Sequence, residues 1–599
     1  MEIRTLNDVF FTVVGRDHDR AVINRQNDVW TPISATQIHR WVTAIARQLQ
    51  EWSIGPGDRV VLLSENRPEW AIADFATLLL GGIVVPIYAT QTPEQVQFVL
   101  QHSEARVAFV SSRKQYDKVE SVRQQTKLER VVVMDKVDDL PDVPQMQYLL
   151  SGAVDLEDST IEAFAHTMQP DDVATLIYTS GTTGTPKGVI LTHGNIASNL
   201  SVSVQMTDIG MHDLAISFLP LSHITARHVD YLLFYRGVTI AYCPAFDDLP
   251  RTLQEVRPTV FVGVPRVYEK IHNQIQQKMK GTKRKIFDWA LSVGHKYREQ
   301  VINDQVPRAL SWKLANKLVF SKIREGVGGR ARLFISGGAP LGKELAAWYA
   351  DIGIRIDEGY GLTETSPVIA VNTQEAHRLG TVGKVLPNLE VRIAADGEVL
   401  VRGPSVFKGY WNMPEETAAA FEEDWFKTGD IGHIDEDGYL SITDRKKDLI
   451  KTSGGKFIAP QPIENSLKAN LYVGEAAVVG DKRRFVAVLI VPNFPILEEW
   501  ANARGVSTES RKELVRTQHV RMLYEGIVDE LNNNLAQYEK LKKVLILPEE
   551  LSIADGTLTP SMKLRRRHLE QRYHKQIEAL YAEEHESVKS PRVVEFSKK

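Results

Sequence analysis

Between about residues 30 and 110 the chain alternates two apolar spacings, and this alternation restricts its folds more than any other feature. ATQIHRWVTAIARQLQ, EWAIADFATLLLGG and TPEQVQFVLQHS carry apolar residues every third or fourth position, the period of a helix with one buried face. DRVVLLS, IVVPIY and ARVAFVSS, which separate and follow them, are short apolar runs suited to buried strands. Helices alternating with such strands predict a mainly parallel sheet covered by helices. Four later runs, TIAYC, TVFVGV, RLFIS and IRIDEGYG, extend that expectation.

Past residue 380 the texture changes to short strands and glycine turns, as in EVRIAADGEVLVRG and DEDGYLSITDR, which predicts a β-rich subdomain over about 380–444. After Arg445 come a glycine turn at SGGK, a helix in PIENSLKAN, a hairpin in AAVVGDKRRFVAVLIVP and a charged helical stretch from about Ser510 to Lys540. That is the pattern of a separate α+β module. The expected division is a large N-terminal domain, 1–444, and a small C-terminal domain, 445–599, with a polar tail after about 585. A long charged helix is predicted between His272 and Gln300, its Lys280–Lys285 cluster being either a solvated face or a membrane-facing one.

A chain of 599 residues is too long for one compact core. Its 72 Lys and Arg against 76 Asp and Glu leave a net charge of −4, without the basic surplus of a nucleic-acid-binding protein. The single cysteine, Cys243, excludes an internal disulfide, follows the apolar GVTIAY and is expected to be a buried structural thiol. MEIRTLNDVFFTVVGRDHDR lacks the basic start and long apolar core of a secretory signal. The longest apolar stretch, FATLLLGGIVVPIY, falls short of the ~20 residues that cross a bilayer. A reducing, cytoplasmic location is expected, and peripheral attachment to the inner face of a membrane stays open.

The stretch YTSGTTGTPKG, Tyr178–Gly188, sets three glycines, one serine, four threonines and a lysine between the apolar ATLIY and VILTHGNIASNL, the latter a strand tail entering a helix near Thr192 or His193. Glycines let backbone amides approach an anion, hydroxyls donate hydrogen bonds and Lys187 adds a point charge, so the stretch is suited to gripping phosphate. It lacks the spacing of a Walker A loop. GGAPLGKE, Gly337–Glu344, has that spacing after RLFIS, but Glu344 stands where a magnesium-binding Ser or Thr belongs. It leaves a phosphotransferase gripping phosphate with Lys343 as the alternative class.

The Tyr178–Gly188 loop resembles the signature loop of the adenylate-forming superfamily, and the other motifs of that superfamily follow it in order up to Lys563. The resemblance implies that Thr179, Ser180, Gly181, Thr182, Thr183, Gly184 and Lys187 hold the phosphates of ATP. GYGLTET, Gly359–Thr365, is similar to the second nucleotide motif, which implies that Gly359 belongs to the nucleotide site, Tyr360 packs on adenine, Thr363 touches the α-phosphate and Glu364 binds Mg²⁺. SGGAPL, Ser336–Leu341, resembles the adenine-side segment, with Gly338 and Ala339 lining the nucleotide and acyl sites. FKTGD implies that Asp430 accepts from both ribose hydroxyls, and ITDRKKDLIK a hinge at which Arg445 reaches the ribose and Lys447 is the pivot. DGTLTPSMKLRRR implies that Lys563 is the mobile lysine of the adenylating state, and rotation of the small domain would bring up Lys451 and Gly455 for coenzyme A.

LPLSHITAR and VGVPRVYEKI resemble the long-chain fatty acyl-CoA synthetase branch, bacterial and bubblegum-type members included, with His223 beside the acid's carboxylate. The implied reaction joins a long-chain fatty acid to coenzyme A through an acyl-adenylate, using ATP and Mg²⁺ and releasing AMP and pyrophosphate. Candidate walls of the acyl site lie in the 220–270 region. Transfer to a carrier protein instead of coenzyme A, binding of ATP without turnover, and a homodimeric state are left open.

Overall fold

The computed structural model describes residues 2–151, 159–179, 185–552, 555–559, 564–582 and 592–593. Two large sheets form the bulk of residues 1–410. One has seven strands, of which Val173–Thr179, Ile83–Ile87, Arg59–Leu63, Val107–Val110 and Arg130–Val133 run parallel. The other has nine, with a parallel middle that includes Leu214–Ser217, Val260–Gly263, Leu333–Gly337 and Ile356–Gly361. The first sheet contains the strands predicted from the alternating spacings, and the helices between them are Pro68–Leu79 and Pro93–Ser103. Burial on both faces explains why these strands read as unbroken apolar runs.

The two sheets are tied through one charged knot. Arg227, on the helix Ile224–Arg236, pairs with Asp74 of the helix Pro68–Leu79 and donates to Tyr231 at 2.7 Å and to Thr175 of the strand Val173–Thr179 at 2.8 Å. Tyr231 donates to Asp74 at 2.6 Å, and Arg227 and Asp74 are both fully buried. Arg227→Met leaves a buried carboxylate without its partner, which costs about 3–5 kcal/mol. A chemical denaturation curve is expected to show the first transition at clearly lower denaturant, and an unmoved curve would remove the knot from the stability account.

An antiparallel sheet of short strands follows, including Glu390–Ile393, Glu398–Arg402, Trp425–Ile434 and Leu440–Arg445. From Ile450 onward the apolar residues form a separate core around the sheet Val473–Val479, Ala487–Pro492, Lys543–Ile546 and Arg592–Val593. Across the junction, Arg266 on the helix Pro265–Lys278 donates to the Gly474 carbonyl at 2.9 Å, and Lys468 stands 3.1 Å from Glu269.

The long helix predicted between His272 and Gln300 is two helices, Pro265–Lys278 and Gly281–Ile302. The cause is local: Lys280 is extended and Gly281 takes a positive φ of 55°, which breaks the helical run although the apolar spacing continues on both sides. Cys243 is buried, its thiol pushed up by that burial, as expected of a structural residue. No helix among the described residues is long and apolar enough to cross a membrane.

Candidate active site

A cavity of about 810 Å³ opens where parallel strands of both sheets end. Ser64 follows the strand Arg59–Leu63, Tyr88 follows Ile83–Ile87, Phe218 follows Leu214–Ser217, and Gly338 follows Leu333–Gly337. The carboxyl ends of parallel strands are where ligands bind in open α/β sheets. Its floor follows the two-residue period of a strand: Leu333, Ile335 and Gly337 on one, Arg355, Asp357, Gly359 and Gly361 on or just before its parallel neighbour. Val229 and Leu232 of the helix Ile224–Arg236 add apolar wall.

Small residues at one end of this floor leave room for a ligand and for the chain itself. A Cβ at Gly361 would fall 1.8 Å from the Pro367 carbonyl oxygen, so only glycine fits there. Gly338 leaves its strand with φ +83° and lines the cavity; Ala339, the next residue, does not. Lys343 starts the helix Lys343–Asp351 with its stem against Gly380, outside the cavity lining, so the GGAPLGKE spacing builds no phosphate grip there.

His223 lines the cavity and caps the helix Ile224–Arg236, its Nδ1 accepting from the Thr225 amide at 3.2 Å. That bond places the proton of the neutral ring on Nε2. Tyr360 also lines the cavity, and its hydroxyl donates to Asp430 at 2.7 Å. Arg445 holds the other Asp430 oxygen at 2.8 Å, so three residues from three motifs meet at one carboxylate. Burial and then the neighbouring Arg445 push the Lys447 ammonium down, while Lys446 is held 2.6 Å from both Asp396 and Glu398.

Glu364 stands in the short turn Thr363–Thr365, with Thr363 buried beside it. Burial pushes its carboxyl up; the Tyr410 hydroxyl, which donates to it at 3.0 Å, acts the other way. The Tyr410 ring also faces the Lys187 ammonium, 4.8 Å from the centroid. Tyr410 therefore joins the lysine of the first loop to the carboxylate of the second motif. Nothing in the spacing of FKGYWN announces this; the antiparallel pairing of Tyr410 with Val189 does.

Thr179 ends the strand Val173–Thr179 and pairs with Lys187, which starts the antiparallel neighbour Lys187–Thr192. Ser180, Gly181, Thr182, Thr183, Gly184 and Lys563 lie outside the described residues. Lys451 and Gly455 belong to the ribbon Ile450–Lys451 and Phe457–Ile458, and neither lines the cavity. Among the described residues no group of His, Cys, Asp and Glu forms a ready-made metal cluster. A single carboxylate such as Glu364 suits a hard cation that takes its remaining oxygens from phosphate and water.

Helix-covered parallel sheets followed by a small module are a fold shared with solved adenylation domains. The adenylation domain of a carboxylate reductase from Mycobacterium chelonae superposes with a TM-score of 0.76 at 22% identity, covering 97% of this chain and 91% of that one. ATP-bound MatB from Rhodopseudomonas palustris gives 0.70 at 24% identity, covering 95% and 99%. Residues 10–411 match the family described as AMP-binding enzyme and residues 447–585 its C-terminal domain; the chain belongs to this family. Among its relatives, the long-chain-fatty-acid–CoA ligase FadD15 of Mycobacterium bovis is 36% identical over 575 residues, covering 95% of both chains. The long-chain-fatty-acid–CoA ligase ACSBG2 of Xenopus laevis is 32% identical over 622 residues, covering 96% of this chain and 84% of its own.

Proposed function

We propose that this protein is an AMP-forming long-chain fatty acid–CoA ligase: ATP and a fatty acid give acyl-adenylate and pyrophosphate, and coenzyme A then displaces AMP. The observation that carries this reading is that Tyr360, joined through its hydroxyl to Asp430 and thereby to Arg445, lines a cavity walled further on by Ile335, Val229 and Leu232. An alkyl chain needs such a wall, since each buried methylene contributes about 0.8 kcal/mol.

The difficulty of the first step is that two anions, a carboxylate and a triphosphate, must meet. Mg²⁺ held by Glu364 would supply positive charge against the phosphates. Asp430, oriented by Tyr360 and Arg445, accepts from the ribose hydroxyls, and the tyrosine ring lies against the base. Lys187, whose ammonium faces the Tyr410 ring, would turn from it to the phosphates. His223 turns an Nε2–H donor toward the acid's carboxylate. Lys563 adds charge where negative charge accumulates on the α-phosphate. In the second step the thiol of coenzyme A is nucleophilic enough, at an ordinary pKa of about 8.5, to attack without a strong base.

One site serves both steps if the residues after about 445 rotate. Lys446 is anchored to Asp396 and Glu398 of the β-rich sheet, which supports Lys447 as the pivot immediately after it. The contacts of Arg266 and Lys468 across the junction would open in that rotation, and Lys451 and Gly455 would approach the cavity. Peripheral contact with the inner face of a membrane fits an acid that partitions into lipid. A homodimer is checked by sedimentation velocity.

The test of the activity is pyrophosphate release with acids from C2 to C20, with and without coenzyme A, followed by product mass. Release that rises with chain length and yields acyl-CoA and AMP is expected. Adenylate that accumulates in the presence of coenzyme A and moves only to a carrier protein would transfer the chain to the acyl-AMP ligases.

A further inference from the structure

The helix Gly281–Ile302 and the helical run Leu310–Ala315, Asn316–Phe320 and Ser321–Glu325 fold back on each other as a surface hairpin. Its inner face is closed. Trp312 lies 6.1 Å from the Tyr297 ring and 5.2 Å from Phe320. The first helix is seated on Lys343–Asp351 at Gly294, where a Cβ would fall 2.1 Å from the Asp351 carbonyl oxygen, and Arg298 grips the Asp351 carboxylate at 2.7 and 2.8 Å.

The outer face is apolar, and none of the described residues covers it. Leu310, Leu314 and Leu318, four residues apart, are 83%, 50% and 43% exposed, and Val306 before them is as bare as Leu310. On the other helix Trp289 and Ile286 are exposed as well. From the Tyr297–Trp312 contact, Trp289 and Leu318 lie about 12 Å and about 9 Å along the two axes in opposite chain directions, so both rows occupy the same stretch of the hairpin. Monomeric proteins rarely leave such a row of large side chains in water.

Its charge is as uneven as its hydropathy. Residues 280–325 hold eleven Lys or Arg against four Asp or Glu, a surplus of seven in a chain whose net charge is −4. Arg308, Lys313, Lys317 and Lys322 are exposed among the leucines. Exposed leucines interleaved with long cationic side chains are what an amphipathic element needs to lie in a lipid interface, where the stems bury and the charges meet anionic headgroups. A second copy of this surface, paired about a two-fold axis, would set like charge against like.

The hairpin also touches the active cavity. Asp304, in its turn, is part of the cavity rim and accepts from Gln374 at 2.5 Å. Arg355 lies 3.8 Å from it, at the end of the floor away from Gly338.

We propose that this hairpin docks on an anionic bilayer surface and thereby sets the Asp304 and Gln374 rim of the cavity against lipid, so that a long-chain acid passes from the bilayer into the cavity. The route of the acid rests on the fatty acid reading above; the docking does not. The full chain is sedimented with vesicles of phosphatidylcholine alone and of phosphatidylcholine with 30% phosphatidylglycerol. Binding is expected to the second only, and to weaken at about 0.5 M salt, where the Debye length is roughly half its value at physiological ionic strength.

K313E with K317E is expected to lower vesicle affinity at least tenfold, since each cation near an anionic surface contributes roughly fivefold. L314Q with L318Q is also expected to lower it at least tenfold, since each buried leucine contributes roughly tenfold. Both variants should turn over octanoate from solution at the wild-type rate and lose turnover of palmitate supplied in vesicles. Wild-type protein that ignores anionic vesicles, or variants that bind them undiminished, overturn the docking surface. A wild-type dimer that the leucine variant dissociates without loss of vesicle binding would reassign the row to a second copy. Intact vesicle binding with no turnover of any acid would instead defeat the ligase reading.

Discussion

Glu364→Gln is expected to lower pyrophosphate–ATP exchange by about 10³-fold, the scale on which removing a single group that stabilises transition-state charge acts. Glutamine keeps the shape of the side chain and an oxygen to accept from Tyr410, whose hydroxyl now stands 3.0 Å from Glu364. What it removes is the negative charge that a hard cation requires. The loss should therefore come with a rise in the Mg²⁺ concentration at half-maximal rate, while the melting temperature changes little. Exchange is measured with labelled pyrophosphate at saturating acid across a Mg²⁺ series. A wild-type rate at ordinary Mg²⁺ would take the metal away from Glu364.

Lys563→Ala separates the two half-reactions. In the adenylating state the lysine of DGTLTPSMKLRRR would neutralise charge at the carboxylate and α-phosphate, so its loss is expected to slow adenylate formation by about 10²–10³-fold. In the thioester step the same lysine would have rotated away with the small domain. Formation of acyl-CoA from supplied acyl-adenylate should then fall by less than about threefold. Single-turnover rates of the two steps are compared for wild type and variant. Equal losses would defeat the alternation of domains and leave Lys563 a static part of one site.

Both predictions concern residues that stand out in the primary structure, because GYGLTET and the glycine-threonine-proline turn before Lys563 are unusual strings. Other parts of the site were hidden. Tyr410 sits in FKGYWN without a distinguishing spacing, and it acquires a role only because its strand pairs with the one that carries Lys187. Asp430 is legible through FKTGD, but its hydrogen bond from Tyr360, across seventy residues of chain, is not. The Asp74–Arg227 knot joins residues 153 apart, one in a helix of the first apolar alternation and one in LPLSHITAR. The leucine row at 310–318 has ordinary helical spacing, which in a sequence suggests a buried face; the structure turns it outward and buries Trp312 instead.

Strand and helix periods, and with them the parallel sheets, were written into the chain because side-chain alternation and backbone hydrogen bonding depend on near neighbours. The grouping of Tyr360, Asp430 and Arg445, the bridge from Lys187 to Glu364, and the bare face of the hairpin were settled by packing. A charge or ring finds its partner only after distant elements have taken one register and one set of buried faces, and no local pattern of residues records that choice.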